Sequence, residues 1–284
     1  MANLYVFHQG SGDNGQLWYF SFDGTKWYAD RQVEHVGMTD SPSAIPWAGG
    51  ISVFHQGLAE NSQLWYSSFN GTNWSSDTQI SNLGMSRSPA AIPWQGGITV
   101  FHQGVQEDGQ LWYSFFSGTS WGKDVQVPNL GMSISPSAVV YNGTLNVFHQ
   151  GSRDNGQLWY SPFNGTTWGK DTQVPNLGMS EAPSAVVYNG KLYAFHQGER
   201  DSGQLWYTVY DGTNWAPDRQ VPNLGMSQSP SAVVYNGKLY VFHQGSGDDG
   251  EVWYTSSGDG TNWAADTHVP LNVSMSGSPS CVIY

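Results

Sequence analysis

The sequence predicts an all-β fold, and three observations predict it. Gly accounts for 35 of 284 residues and aromatics for 14 %, including 14 Trp and 15 Tyr, the composition of many tight turns joining aromatic strands. Charged residues are only 11 %, which excludes intrinsic disorder, since disordered chains are charge-rich and poor in aromatics. No window carries a helical period long enough to compete with short strands closed by Gly, Pro and Asn.

The chain is also a repeat. His-Gln-Gly begins at His8, His55, His102, His149, His196 and His243, every step being 47 residues. Trp-Tyr begins at Trp18, Trp65, Trp112, Trp159, Trp206 and Trp253 with the same step. Gly-Thr-x-Trp places Trp27, Trp74, Trp121, Trp168 and Trp215 in register and displaces Trp263 by one residue. Met38, Met85, Met132, Met179 and Met226 keep the step, and Met275 is displaced by two.

Each unit reads as four strands. The first is SPSAVVY, as at 229–235, followed by the Asn-Gly turn that most strongly signals a hairpin. The second is Lys238–Gln244, the third is typified by 157–163, and a second tight turn leads to a fourth such as 168–174. A PNLGMSxSP link then opens the next unit. Four strands in each of six units is the arithmetic of a six-bladed β-propeller with four antiparallel strands per blade. The chain starts within a second strand and stops after a first strand. The C-terminal strand is therefore expected to pair with the N-terminal blade, closing the ring and protecting its edges. The expected organisation is a single domain, 1–284.

Comparing the six copies isolates candidate ligand contacts. The turn after His-Gln-Gly drifts in sequence, yet Asp13, Glu60, Glu107, Asp154, Asp201 and Asp248 keep an acid in it. Gln16, Gln63, Gln110, Gln157 and Gln204 follow, with Glu251 in the sixth copy. The turn between second and third strands and the link between blades emerge on one face, so these groups share a rim. Carboxylates, amides and imidazoles all hydrogen-bond sugar hydroxyls, and a third-strand indole can stack on a pyranose. The candidate carbohydrate-binding set is thus the six His-Gln-Gly histidines, the six acids, the five Gln with Glu251, and the six Trp-Tyr tryptophans. Each has a structural alternative: scaffold hydrogen bonding for His, turn stabilisation for the acid, and inter-sheet packing for Trp. Trp27 and its equivalents read as core, the Met of the link as filler between blades, and Asp30, Asp77, Asp124, Asp171, Asp218 and Asp266 as structural acceptors.

The motifs GQLWY, DGTxW and PSAVVYNGKLYVF resemble those of the bacterial and fungal β-propeller lectins over the whole chain. The SAVVYNGKLYVF hairpin is also similar to a kelch blade, although the double glycine of kelch is absent. Residues 21–27 resemble a shortened sialidase Asp-box, a motif that is structural in its own family. The lectin resemblance implies multivalent carbohydrate binding, with a shallow pocket per blade or per junction and glycans as partners.

Rival readings are a protein-interaction propeller and, less favoured, a glycan-processing enzyme. The five arginines fall at three different repeat positions, Arg31 with Arg219, Arg153 with Arg200 and Arg87 alone, and no unique catalytic set stands out. One His and one acid per unit are too few for a closed zinc site, so neither catalytic residue, metal nor cofactor is expected. A net charge of −12 with only 10 Lys and Arg disfavours nucleic acid and anionic membrane as partners. No run approaches the ~20 apolar residues of a membrane span. The N-terminus lacks a basic, then apolar, leader, so the expected location is cytoplasmic or non-classically secreted. The lone Cys281 excludes an intrachain disulfide.

Overall fold

A computed structural model describes residues 2–284, without the side chain of Glu60. Six four-stranded antiparallel blades surround a central channel. We number them from the blade containing Leu4–Gly10. Blade 1 runs from an inner strand Met275–Ile283 through Leu4–Gly10 and Gln16–Phe22 to the first part of Trp27–Trp47. That 21-residue segment crosses the link, turning through left-handed His35 and Asp40, and becomes the inner strand of blade 2. Blade 2 continues with Gly50–Gly57, Gln63–Phe69 and Thr78–Gly84, and blade 3 spans Ser86–Trp94 to Val125–Gly131. Blades 4, 5 and 6 begin at inner strands Ser137–Tyr141, Ser184–Tyr188 and Ser227–Tyr235.

The predicted closure is present. Leu4 pairs with Ile283, Val6 with Cys281 and Phe7 with Ser280. Beyond the ladder, Asn3 N donates to Tyr284 O at 2.7 Å, and Tyr284 N donates back to Asn3 O at 2.9 Å.

Neighbouring blades meet through one repeated aromatic contact. The tryptophan after each tight outer turn stands T-shaped against the phenylalanine of the preceding blade's VFH or AFH strand. The pairs are Trp27–Phe242, Trp74–Phe7, Trp121–Phe54, Trp168–Phe101, Trp215–Phe148 and Trp263–Phe195. Their centroids lie 5.6–6.3 Å apart and their planes at 77–88°. All six phenylalanines are fully buried. T-shaped pairs set the electropositive edge of one ring against the electron-rich face of the other, worth about 0.5–1.5 kcal/mol beyond the area buried. The link methionines are buried in the same junctions. The outer turns hold themselves: Asp23 Oδ1 accepts from the N–H groups of Thr25 and Lys26, both at 2.8 Å. These bonds, led by the one from Lys26, hold its carboxyl well below the usual carboxylate range.

Two hoops of serine bonds encircle the channel. In one, Ser278 N donates to Ser41 Oγ, Ser41 N to Ser88 Oγ, Ser88 N to Ser135 Oγ, Ala182 N to Ser229 Oγ and Ser229 N to Ser278 Oγ, at 2.8–3.1 Å. The second runs the opposite way, with Ala44 N, Ala91 N, Ala185 N, Ala232 N and Cys281 N donating to Ser280, Ser43, Ser137, Ser184 and Ser231. Each hoop has five bonds because one copy carries alanine where the others carry serine: Ala182 in the first and Ala90 in the second. A buried hydrogen bond contributes about 0.5–1.5 kcal/mol net. Ala182→Ser, which supplies the missing acceptor opposite Ser135 N, is expected to raise stability by about that amount, read as a higher denaturant midpoint at unchanged slope.

Candidate functional site

The candidate rim forms where the turn between second and third strands meets the links on both of its sides. Each turn is stitched to the next link by a backbone bond. Met38 N donates to Gly15 O, Met85 N to Ser62 O, Met132 N to Gly109 O, Met179 N to Gly156 O, Met226 N to Gly203 O and Met275 N to Gly250 O, at 2.8–2.9 Å. The link glycines serve this close approach. A methyl group at Gly84 would come within 2.6 Å of Val105 in the next turn, and one at Gly131 within 3.1 Å of Ser152.

The fixed acid occupies a left-handed backbone position. Asp13, Glu107, Asp154, Asp201 and Asp248 have φ of 48–52°, a region where Asp is enriched among non-glycine residues. Their N–H groups donate to Ser276, Ser86, Ser133, Ser180 and Ser227 Oγ respectively, at 2.7–3.1 Å. Backbone geometry therefore supplies one reason for the acid, and its carboxylate remains at the surface. Glu60 has its side chain outside the described residues.

The histidines correct the sequence expectation. His8, His55, His102, His149, His196 and His243 are all 0 % exposed. In every copy Nδ1 donates to the following Gln carbonyl at 2.9–3.0 Å. Nε2 lies 3.0–3.1 Å from the aspartate at or immediately before the fourth strand of the same blade. Both ring nitrogens are engaged and no ring face reaches solvent, so these side chains clasp the second strand to the fourth. The recurring aspartates, Asp30 and its equivalents, are the acceptors of that clasp.

The third-strand tryptophans are half-buried along the flanks of the blades, and the structure does not bring them into the two rim pockets. A Cβ at Gly10 would sit 2.8 Å from Trp18 Nε1, and one at Gly151 would sit 2.7 Å from Trp159 Nε1. The glycine of His-Gln-Gly thus makes room for the indole. Trp112 Nε1 donates to Asp108 Oδ2 at 3.1 Å. Trp65 instead lines a flank groove of about 850 Å³ between blades 1 and 2, with Trp74, Glu34 and His35.

Polar pockets do form on the rim at two junctions. Between blades 3 and 4, about 530 Å³ is lined by Glu107, Gln110 and Asp154 with Gln103 and Ser133. Between blades 4 and 5, about 650 Å³ is lined by Asp154, Gln157 and Asp201 with Gln150 and Ser180. Asp154 belongs to both. Gln110 Oε1 accepts from Gln126 Nε2 at 2.9 Å, and in the sixth copy Glu251 pairs with His268 at 3.3 Å. Gln16 and Gln63 open the third strands of their blades and Gln204 immediately precedes one, half-buried or exposed.

The candidate set omits the glutamine of His-Gln-Gly. Gln103 and Gln150 are 2 % and 4 % exposed and line the pockets. Gln150 Nε2 donates to Met179 O at 3.3 Å. The omission had a visible signal, since Gln recurs in all six copies.

Comparison with known proteins places the architecture. A lectin from Aleuria aurantia, solved with Fucα1-6GlcNAc, superposes with a TM-score of 0.70 at 16 % identity, covering 94 % of this chain and 92 % of that one. AofleA from Arthrobotrys oligospora gives 0.71 at 10 % identity, covering 98 % and 88 %. An α-L-arabinofuranosidase from Clostridium thermocellum gives 0.56 at 14 %, covering 81 % and 94 %. The Aleuria aurantia lectin is described as a six-bladed β-propeller. This chain shares that fold. A family model described as the DUF6242 beta propeller domain matches residues 164–279. No curated protein sequence matches.

The clasp makes a measurable claim. His149→Ala is expected to destabilise the protein by about 2–4 kcal/mol, by opening a cavity and removing a partner of Asp171. Unfolding midpoints for His149→Ala against wild type check it, and an unchanged midpoint would show that the histidine is not framework.

Proposed function

We propose that the protein is a multivalent carbohydrate-binding propeller, with shallow sugar sites at the blade junctions of the turn rim. The observation that carries this reading is the recurrence of one pocket at adjacent junctions, built from the same repeat positions. Each pocket takes the acid of both flanking turns, the near-buried glutamine of one blade and a link serine. Fixed acceptors and amides around a shallow depression suit a ligand that presents many hydroxyls. The similarity in fold to lectins, one solved with a fucose-containing disaccharide, supports the same class.

A binding role fits the rim better than catalysis. A glycosidase needs a pair of carboxylates with different tasks flanking one bond, whereas these acids recur at one repeat position with one backbone conformation. The arabinofuranosidase neighbour shares the propeller architecture and is 14 % identical. Several weak sites on one rigid face gain avidity of about 10²–10⁴ when a glycan surface spans them.

The test is a glycan array followed by calorimetry on the best sugar, with a stoichiometry above one and up to six sites per chain expected. Because Asp154 lines two pockets, Asp154→Asn should weaken two neighbouring sites while keeping a residue that tolerates left-handed backbone. Its melting temperature should stay within about 2–4 °C of wild type, the range of a ~1 kcal/mol change in a protein this size. Absence of binding to any glycan at millimolar sugar would sink the proposal.

A further inference from the structure

The residue directly after His-Gln-Gly is Ser11, Leu58, Val105, Ser152, Glu199 and Ser246 in the six copies. It opens the turn and leans over the link glycine of its junction. A Cβ at Gly37 would sit 3.2 Å from Leu58 Cβ, one at Gly131 3.1 Å from Ser152 Cβ and one at Gly225 3.2 Å from Ser246 Cβ. The backbone places this position alike in these junctions, so the side chain makes the difference between them. Ser152 and Glu199 line the two rim pockets. Leu58 and Val105 are aliphatic and stand 53 % and 45 % exposed beside the acids of the turns.

That side chain controls the space over the turn of the preceding blade. Gly109, Gly156 and Gly203 are the turn glycines at the junctions of blades 3–4, 4–5 and 5–6. Around a Cβ at each, and apart from its chain neighbours, only the link methionine carbonyl comes within 4 Å among the described residues, at 3.4 Å. At the equivalent Gly15, such a Cβ would overlap Leu58 Cδ1. The leucine thus spans the junction from the turn of blade 2 to the turn of blade 1. At the junction of blades 2 and 3, Ser62 replaces the turn glycine, and Val105 Cγ1 would lie 2.6 Å from a Cβ at Gly84. These two aliphatic residues stand in the space that is open farther round the ring, where the pockets hold about 530 and 650 Å³.

We propose that the residue after His-Gln-Gly is the steric gate of each rim site. Leu58 and Val105 close the junctions of blades 1–2 and 2–3, and binding is confined to the arc of the other four. This rests on the glycan-binding reading of the rim and fixes the number and place of the sites within it. A sugar entering over Gly15 has to displace the branched end of Leu58. Its hydroxyls then face an aliphatic surface that neither donates nor accepts, and one hydroxyl stranded in this way weakens a site by roughly tenfold. Serine and glutamate at the same position are polar and leave the turn glycine clear. The two closed junctions are adjacent, so the open ones lie side by side and can engage one glycan surface together.

The experiment counts sugars bound to the full chain at saturation by native mass spectrometry. The probes are the methyl glycosides of fucose, galactose, mannose and N-acetylglucosamine. Wild type should hold no more than four copies of a probe that binds, one for each junction without an aliphatic residue at this position. Leu58→Ser should add one site, and Ser152→Leu should remove one. Ser152→Ala keeps the space and loses the hydroxyl, so it should leave the count unchanged. Melting temperatures within about 2–4 °C of wild type check that each variant is folded, and the gain in Leu58→Ser is a result that misfolding does not imitate. Five or six sugars on wild type, an unchanged count in Leu58→Ser or Ser152→Leu, or a lost site in Ser152→Ala would overturn the gate and leave the glycan reading standing. Should none of the four probes bind, the gate fails, and the glycan array decides whether the wider reading fails with it.

Discussion

Closure is the constraint on which everything else in this molecule depends. Six wedges must each subtend the same angle, or the strand Met275–Ile283 cannot pair with Leu4–Gly10. The T-shaped tryptophan on the preceding blade's phenylalanine sets the spacing at mid-blade in all six junctions. The serine hoops set it at the channel, where the inner strands are closest. The strand order of each blade, the stitched turns and the rim pockets all follow from wedges held at one angle.

The same constraint explains why repetition misleads about function. A residue recurs in six copies when it binds a ligand six times, and equally when it holds six blades together. The histidines illustrate the second cause. Their burial is complete, and their clasp on the aspartate at or immediately before the fourth strand joins strands that are not neighbours in the sheet. The acids of the turn combine both causes, because a left-handed backbone explains the residue type while the carboxylate stays at the surface. Glu181 and Glu199 depart from the repeat at one junction.

Charge follows a related division. The acids of the turns and of the channel mouth gather on the rim face, whereas Lys26, Lys191 and Lys238 lie in or beside tight turns at the opposite ends of the strands. The net charge of −12 is therefore concentrated where ligands are proposed to bind, and it biases that face toward neutral or cationic partners.

Much of the architecture was legible from residues alone. The 47-residue step, the Asn-Gly and Asp-Gly-Thr turns and the alternation within each strand determine the number of blades, the strands per blade and the pairing that closes the ring. These are local or periodic features, and local backbone preference encodes them directly. The core role of Trp27 and its equivalents and the acceptor role of Asp30 and its equivalents were legible for the same reason. What lies around each side chain was not. Whether His149 faced solvent or Asp171, and whether Trp159 entered the rim, depend on packing between blades brought together by the ring. Alternation along a strand says which sheet face a residue shares, but not what the next blade places against it. Only the tertiary structure decided that the histidines are framework and that Asp154 serves two pockets.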